Sequence, residues 1–133
     1  MKMTTIRRII CIVLTMSMVL IFSPAVFATH TASGTIAGVN CYASVTNNIT
    51  SGTAWTSCNS SNSVCSVSVS HYIVYRDSGS VTDMTKTASG GNIQYATATA
   101  TPTGYTAPIL YSSTTSTHTA VYSNQSWSTS LAD

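Results

Sequence analysis

Between Cys65 and Arg76 the chain reads Cys-Ser-Val-Ser-Val-Ser-His-Tyr-Ile-Val-Tyr-Arg. Cys65, Val67, Val69, His71, Ile73 and Tyr75 alternate with Ser66, Ser68, Ser70, Tyr72, Val74 and Arg76. Successive side chains of a strand point to opposite faces, so a period of two separates a buried set from a solvated one. A helix would gather its apolar residues at combined spacings of three and four with polar residues between, and strict alternation does not fit that template. It predicts a strand with Cys65 and its alternates facing a core.

The same period appears on either side. Val39, Cys41, Ala43 and Val45 alternate with Asn40, Tyr42, Ser44 and Thr46. A second strand is expected around Thr53–Cys58, after the break Thr46–Gly52. Asn59–Asn62 forms a turn cluster, and Arg76-Asp77-Ser78-Gly79-Ser80 reads as a hairpin connection. Further strands are expected at Val81–Ala88, closed by Ser89-Gly90-Gly91-Asn92, and at Ile93–Thr101, ended by Pro102. Ile109–Ser113, Thr117–Ser123 and a short tail strand holding Trp127 complete the series. About seven or eight short strands at this cadence predict an all-β fold, a small antiparallel β-sandwich.

Upstream lies a segment of a different kind. Lys2, Arg7 and Arg8 precede an uncharged apolar run from Ile9 to Phe22, followed by Pro24 and Ala25-Val26-Phe27-Ala28. A basic start, an apolar middle and small residues at Val26 and Ala28 are the parts of a secretory signal peptide, with cleavage expected near Ala28. The run is shorter than the roughly 18–20 residues of a membrane-spanning helix. Residues 1–28 therefore read as a general-secretion leader of bacterial type, and 29–133 as one Ser/Thr-rich domain. The expected location is extracellular, without membrane insertion.

Without the leader the chain is nearly uncharged: Arg76 and Lys86 stand against Asp77, Asp83 and Asp133, and there is no Glu. Phosphate neutralisation needs clustered Lys and Arg, so no nucleic-acid partner is expected. From Thr29 onward Ser and Thr supply 40 residues, while Ile, Leu, Val and Phe supply 15. A core built from so few aliphatics gives weight to its cysteines and rings. Outside the cell, neighbouring thiols tend to oxidise. Cys58 and Cys65 flank the Asn59–Asn62 turn and would face each other across a hairpin, whereas Cys41 is a competing partner for a bridge between sheets. Connectivity stays open at this level. Trp55 follows Cys41 by fourteen residues, a spacing similar to the cysteine and core tryptophan of immunoglobulin domains, but no distant second cysteine follows.

Chemistry is sparse, and no catalytic residue, metal site or cofactor is expected. Asp77 and Asp83 belong to the charged hairpin region and read as surface residues. Partial matches to a serine-protease signature at Arg76–Ser80 and Ala88–Gly91 read as turns. His30 sits at the expected new N-terminus. His71 lies on the inward face of its strand and reads as a hydrogen-bonded core histidine. His118 has the parity of Ala120 and Tyr122, and a His71–His118 pair on neighbouring strands is the one arrangement that offers two metal ligands. Thr97, Thr99 and Thr101 form a row that resembles ice-binding faces and reads as the solvated side of a strand opposite Ala96, Ala98 and Ala100. Seven Tyr and two Trp are expected to fill the core in place of missing Leu and Phe. Were Trp55, Trp127 and several tyrosines to share an outer face, they would suit stacking on sugars or a polymer.

Tyr111-Ser112-Ser113 and Thr117-His118-Thr119-Ala120-Val121 resemble the Tyr-Ser…His-Ser-Ala segment of the lactococcin 972 family of secreted bacteriocins, over about eleven residues. That resemblance implies a toxin-like alternative. The leading expectation is a secreted, non-enzymatic interaction module for an extracellular ligand, an envelope polymer or protein. Its flat Ser/Thr strands also predict self-association through sheet edges. A small hydrolase using His71 or His118 beside a serine is the remaining alternative.

Overall fold

The computed structural model describes residues 28–105 and 108–133, so the leader, except Ala28, lies outside the described residues. Eight strands follow in order: β1 Ala28–Ile36, β2 Val39–Asn48, β3 Ser51–Cys58, β4 Val64–Asp77, β5 Ser80–Ile93, β6 Tyr95–Ala100, β7 Ile109–Tyr122 and β8 Gln125–Ala132. They form two antiparallel sheets of four strands, β1-β2-β3-β6 and β5-β4-β7-β8, stacked as a β-sandwich. The chain changes sheet after β3, β5 and β6, and its remaining connections are hairpins.

Local chemistry sets the hairpins. Ala37-Gly38, Ser78-Gly79 and Ser123-Asn124 all have positive φ, the backbone of the two-residue turns whose twist matches that of the strands they join. The Arg76–Ser80 connection thus tightens to Ser78-Gly79 alone. Gln94, with φ of 67°, is the corner at which the chain leaves one sheet for the other. Its amide donates to the Ser63 carbonyl at 2.7 Å, and its own carbonyl accepts from the Cys58 amide at 3.0 Å. Both of its backbone polar groups are thereby satisfied.

The alternation from Cys65 to Tyr75 holds: all six residues of the inward set are buried. Ile36, Cys41, Val45, Ala54, Cys58, Val67, Val69, Ala96, Ala98, Ala100 and Ala120 join the cluster between the sheets. Alanines dominate the β6 side, so the sheets sit close there. Gly90 shows how close, because a Cβ added to it would run into the Thr97 backbone carbonyl. That contact corrects the reading of Ser89-Gly90-Gly91-Asn92 as a turn: the glycines lie inside β5, where bare backbone lets its edge press on β6.

Three other boundaries differ from expectation. β1 was not anticipated, since its inward positions are His30, Ala32, Gly34 and Ile36, a set with almost no apolar signal. The two strands expected at 109–123 are one, β7, running unbroken through Thr114, Thr115 and Ser116. Ile93 belongs to β5 rather than to β6.

Candidate functional site

The cysteines pair differently from the first expectation. Cys41 and Cys58 form the disulfide, and Cys65 is a buried free thiol. The reason is register: Cys41 and Cys58 are direct cross-strand partners in the β2–β3 hairpin, with Cα atoms 4.1 Å apart. Cys65 is the second residue of β4 in the opposite sheet and has Asn92 and Ala120 beside it. Burial pushes the Cys65 thiol above its ordinary pKa, partly offset by hydrogen bonding to the Ser63 side chain and the Cys58 backbone.

The histidines His71 and His118 are fully buried between the sheets, and each is tied to a hydroxyl. Thr114 Oγ1 donates to Asn47 Oδ1 at 2.8 Å, leaving its lone pairs to accept from His71 Nδ1 at 2.8 Å. In the same way Thr56 Oγ1 donates to the Ser66 carbonyl at 3.2 Å and accepts from His118 Nδ1 at 2.9 Å. These assignments put the proton on Nδ1 in both rings. His118 Nε2 then accepts from Ser116 Oγ at 2.7 Å, whereas His71 Nε2 has no partner. Each chain of bonds crosses from one sheet to the other, so the pairs act as polar braces inside an apolar layer. Desolvation by burial holds both imidazoles below their ordinary pKa, with the Ile49 and Trp55 carbonyls working weakly against it.

These positions decide what the histidines can do. His71 faces Thr114, and His118 faces Val67, four residues further along each strand. That is roughly 13 Å of strand, too far for one metal ion to reach both rings. Among the described residues no group of three or more His, Cys, Asp or Glu could hold a metal. Ser116 and His118 have the contact of a nucleophile and its base, but both side chains are buried in the inter-sheet layer. A substrate carbonyl would have to enter the core to meet them. The Tyr111–Val121 segment lies within β7, and its Thr114, Ser116, His118 and Ala120 are the inward alternates.

The outer face of β1-β2-β3-β6 has another character. Register aligns its outward side chains in rows across the four strands: Thr29, Thr46, Thr53, Thr99; then Thr31, Ser44, Trp55, Thr97; then Ser33, Tyr42, Ser57, Tyr95. None of these residues is charged. Thr97 and Thr99 therefore belong to a wider hydroxyl surface, on which Thr29 meets Thr46 and Thr53 meets Thr99, each at 3.1 Å between hydroxyl oxygens. Three aromatic side chains stand on it, on successive strands. Tyr42 is 37% exposed and Tyr95 48%, and the Trp55 and Tyr95 rings lie 6.3 Å apart at 27°. Ser44 is buried although it points outward, and its cross-strand partner Trp55 is the largest side chain available to cover it. Beside Trp55 runs an open groove of about 450 Å³, bordered by Thr31, Ser33 and Tyr42 and lying over β1 and β2 at Ala32 and Ala43, whose side chains belong to the inward set.

The expectation that aromatic rings fill the core is corrected here. Among the described residues Tyr75 is the one tyrosine or tryptophan in the buried set, where it packs against Tyr105, while Tyr122 and Trp127 lie part-buried against the core. Trp127 is not on this face: it points inward from β8 against Gly34 of β1, closing the seam between those edges. Across that seam His30 meets Asp133 at 3.4 Å. The charged residues of the strands, Arg76, Asp77, Asp83 and Lys86, all belong to the β4–β5 hairpin. No helix among the described residues is long and apolar enough to cross a membrane. No family model matches the chain, and no curated protein matches it.

Proposed function

We propose that this chain is an exported, non-enzymatic recognition domain that meets its partner outside the cell through the outer face of β1-β2-β3-β6. One observation carries the reading: three partly exposed aromatic rings share an uncharged sheet face with a groove beside them, while the core is complete without them. Large rings left in water cost hydrophobic free energy, and they concentrate at surfaces that another molecule covers. Export is supported by the Lys2–Ala28 leader pattern and by a disulfide, which needs an oxidising compartment.

The test uses material recovered from the medium of expressing cells. Its N-terminus is expected at Thr29, and it is expected to be retained on isolated cell envelopes. Trp55→Ala and Tyr95→Ala variants of unchanged fold should lose that retention. Intact leader on cytosolic protein would overturn the export reading, and equal retention of the variants would overturn the face.

A further inference from the structure

Resting on that reading of the face, we infer that its ligand is an electrically neutral, extended glycan chain lying across the strands over Tyr42, Trp55 and Tyr95. The three rings project from β2, β3 and β6, which are consecutive neighbours in the sheet. Adjacent strands lie about 4.8 Å apart, so Tyr42 and Tyr95 stand in one row on strands roughly 10 Å apart, with Trp55 on the strand between them in the neighbouring row. That distance is about the length of two pyranose units in an extended chain, which gives successive sugars a ring to rest on. Pyranoses present C–H faces to aromatic rings and hydroxyls around their rims. The face matches both: rings in the middle, and Thr31, Ser33, Ser57 and Thr97 beside them in the same rows.

Charge supports the same ligand. β1, β2, β3 and β6 contain no Lys, Arg, Asp or Glu, so the face has no ion pair to offer an acidic polymer or a charged peptide. A small apolar pocket would suit a hydrophobic ligand, but this groove is open and its rims are hydroxyls. A protein partner would be expected to meet a broad apolar centre, and apart from the three rings the outward side chains of these rows are all hydroxyls.

The experiment titrates the secreted protein with cellohexaose, xylohexaose and N-acetylchitohexaose, with oligogalacturonate as the anionic comparison, by calorimetry and tryptophan fluorescence. Saturable binding is expected to at least one neutral oligosaccharide and not to oligogalacturonate. It should be unchanged between low and high sodium chloride, because no charges are being screened. Tyr95→Ala and Tyr42→Ala should each weaken it about tenfold, the scale of one lost stacking contact. Trp55→Ala should abolish it, and Trp55→Phe should restore part. Envelopes treated with periodate, which cleaves sugar diols, should no longer retain the protein, while protease-treated envelopes should. The inference is overturned if no neutral oligosaccharide binds, or if protease rather than periodate abolishes retention. In those cases the recognition face stands as long as Trp55→Ala still abolishes retention, so the two ideas fail separately.

Discussion

Thr56→Val is the sharpest test of the polar braces. Valine has nearly the shape of threonine, so the change replaces one hydroxyl by a methyl at a fully buried position. Two bonds go: the 3.2 Å bond to the Ser66 carbonyl and the 2.9 Å bond with His118 Nδ1. His118 can move its proton to Nε2 and donate to Ser116, but Nδ1 is then a bare acceptor in an apolar layer. Leaving such a group unsatisfied costs about 1–3 kcal/mol. The added methyl returns about 0.8 kcal/mol of apolar burial. A net loss of about 1–2 kcal/mol follows, or roughly 5–15 °C in Tm for a domain of this size. Thr56→Ser keeps both bonds and loses one methyl, about 1 kcal/mol. Urea and thermal unfolding of both variants, with and without His118→Leu, measure the coupling. If Thr56→Val is as stable as the parent, or if its cost is unchanged when His118 is already Leu, the braces contribute nothing.

Protonation gives a second test. Both buried imidazoles have pKa values lowered by folding, so the unfolded chain binds protons that the native state refuses. Their stability contribution is complete above the unfolded value of 6.5 and declines as pH falls below it, by up to about 1.4 kcal/mol per pH unit for each ring. Unfolding midpoints at pH 7.5, 6 and 5 should show the decline, and His71→Gln with His118→Gln should flatten it. Thiol titration of protein that begins at Thr29 should find no reactive cysteine in the native state and one, Cys65, after denaturation, with peptide mapping joining Cys41 to Cys58. Replacing that pair by alanine should cost about 3 kcal/mol through the looser unfolded chain. Gly90→Ala should destabilise by more than about 3 kcal/mol, since the obstructing atom is the Thr97 carbonyl and backbone cannot step aside. A Gly90→Ala variant with the parent's midpoint would mean that β5 and β6 are not in close contact.

The architecture was legible wherever inward positions carried Val, Ile, Cys or Tyr, as from Cys65 to Tyr75. It was lost in β1, because His30, Ala32 and Gly34 give period two no contrast against Thr and Ser. Gly90 and Gly91 pointed the wrong way, for a glycine pair inside a strand and one in a turn look alike until the opposing sheet is placed. The disulfide had a usable signal: a turn centred between Ile49 and Thr50 sets Cys41 and Cys58 opposite each other, whatever lies beyond. For the candidate face the signal was parity. Tyr42 runs with Asn40 and Ser44, Trp55 with Thr53 and Ser57, and Tyr95 with Thr97 and Thr99, all on the solvated side. Ring size suggested the core, but the small inward residues left too little room for rings. The inward histidine parity was legible, whereas their Thr56 and Thr114 partners depend on how one sheet lies over the other.

Confinement of the strands' Lys, Arg and Asp residues to the β4–β5 hairpin also bears on how the molecule stays dissolved. Most proteins keep apart by mutual repulsion, which weakens in brine and vanishes near the isoelectric point. Here the wetting is done by hydroxyls that titrate at no ordinary pH and attract no counterions. Such a coat behaves alike in fresh water, in salt and across a wide range of acidity.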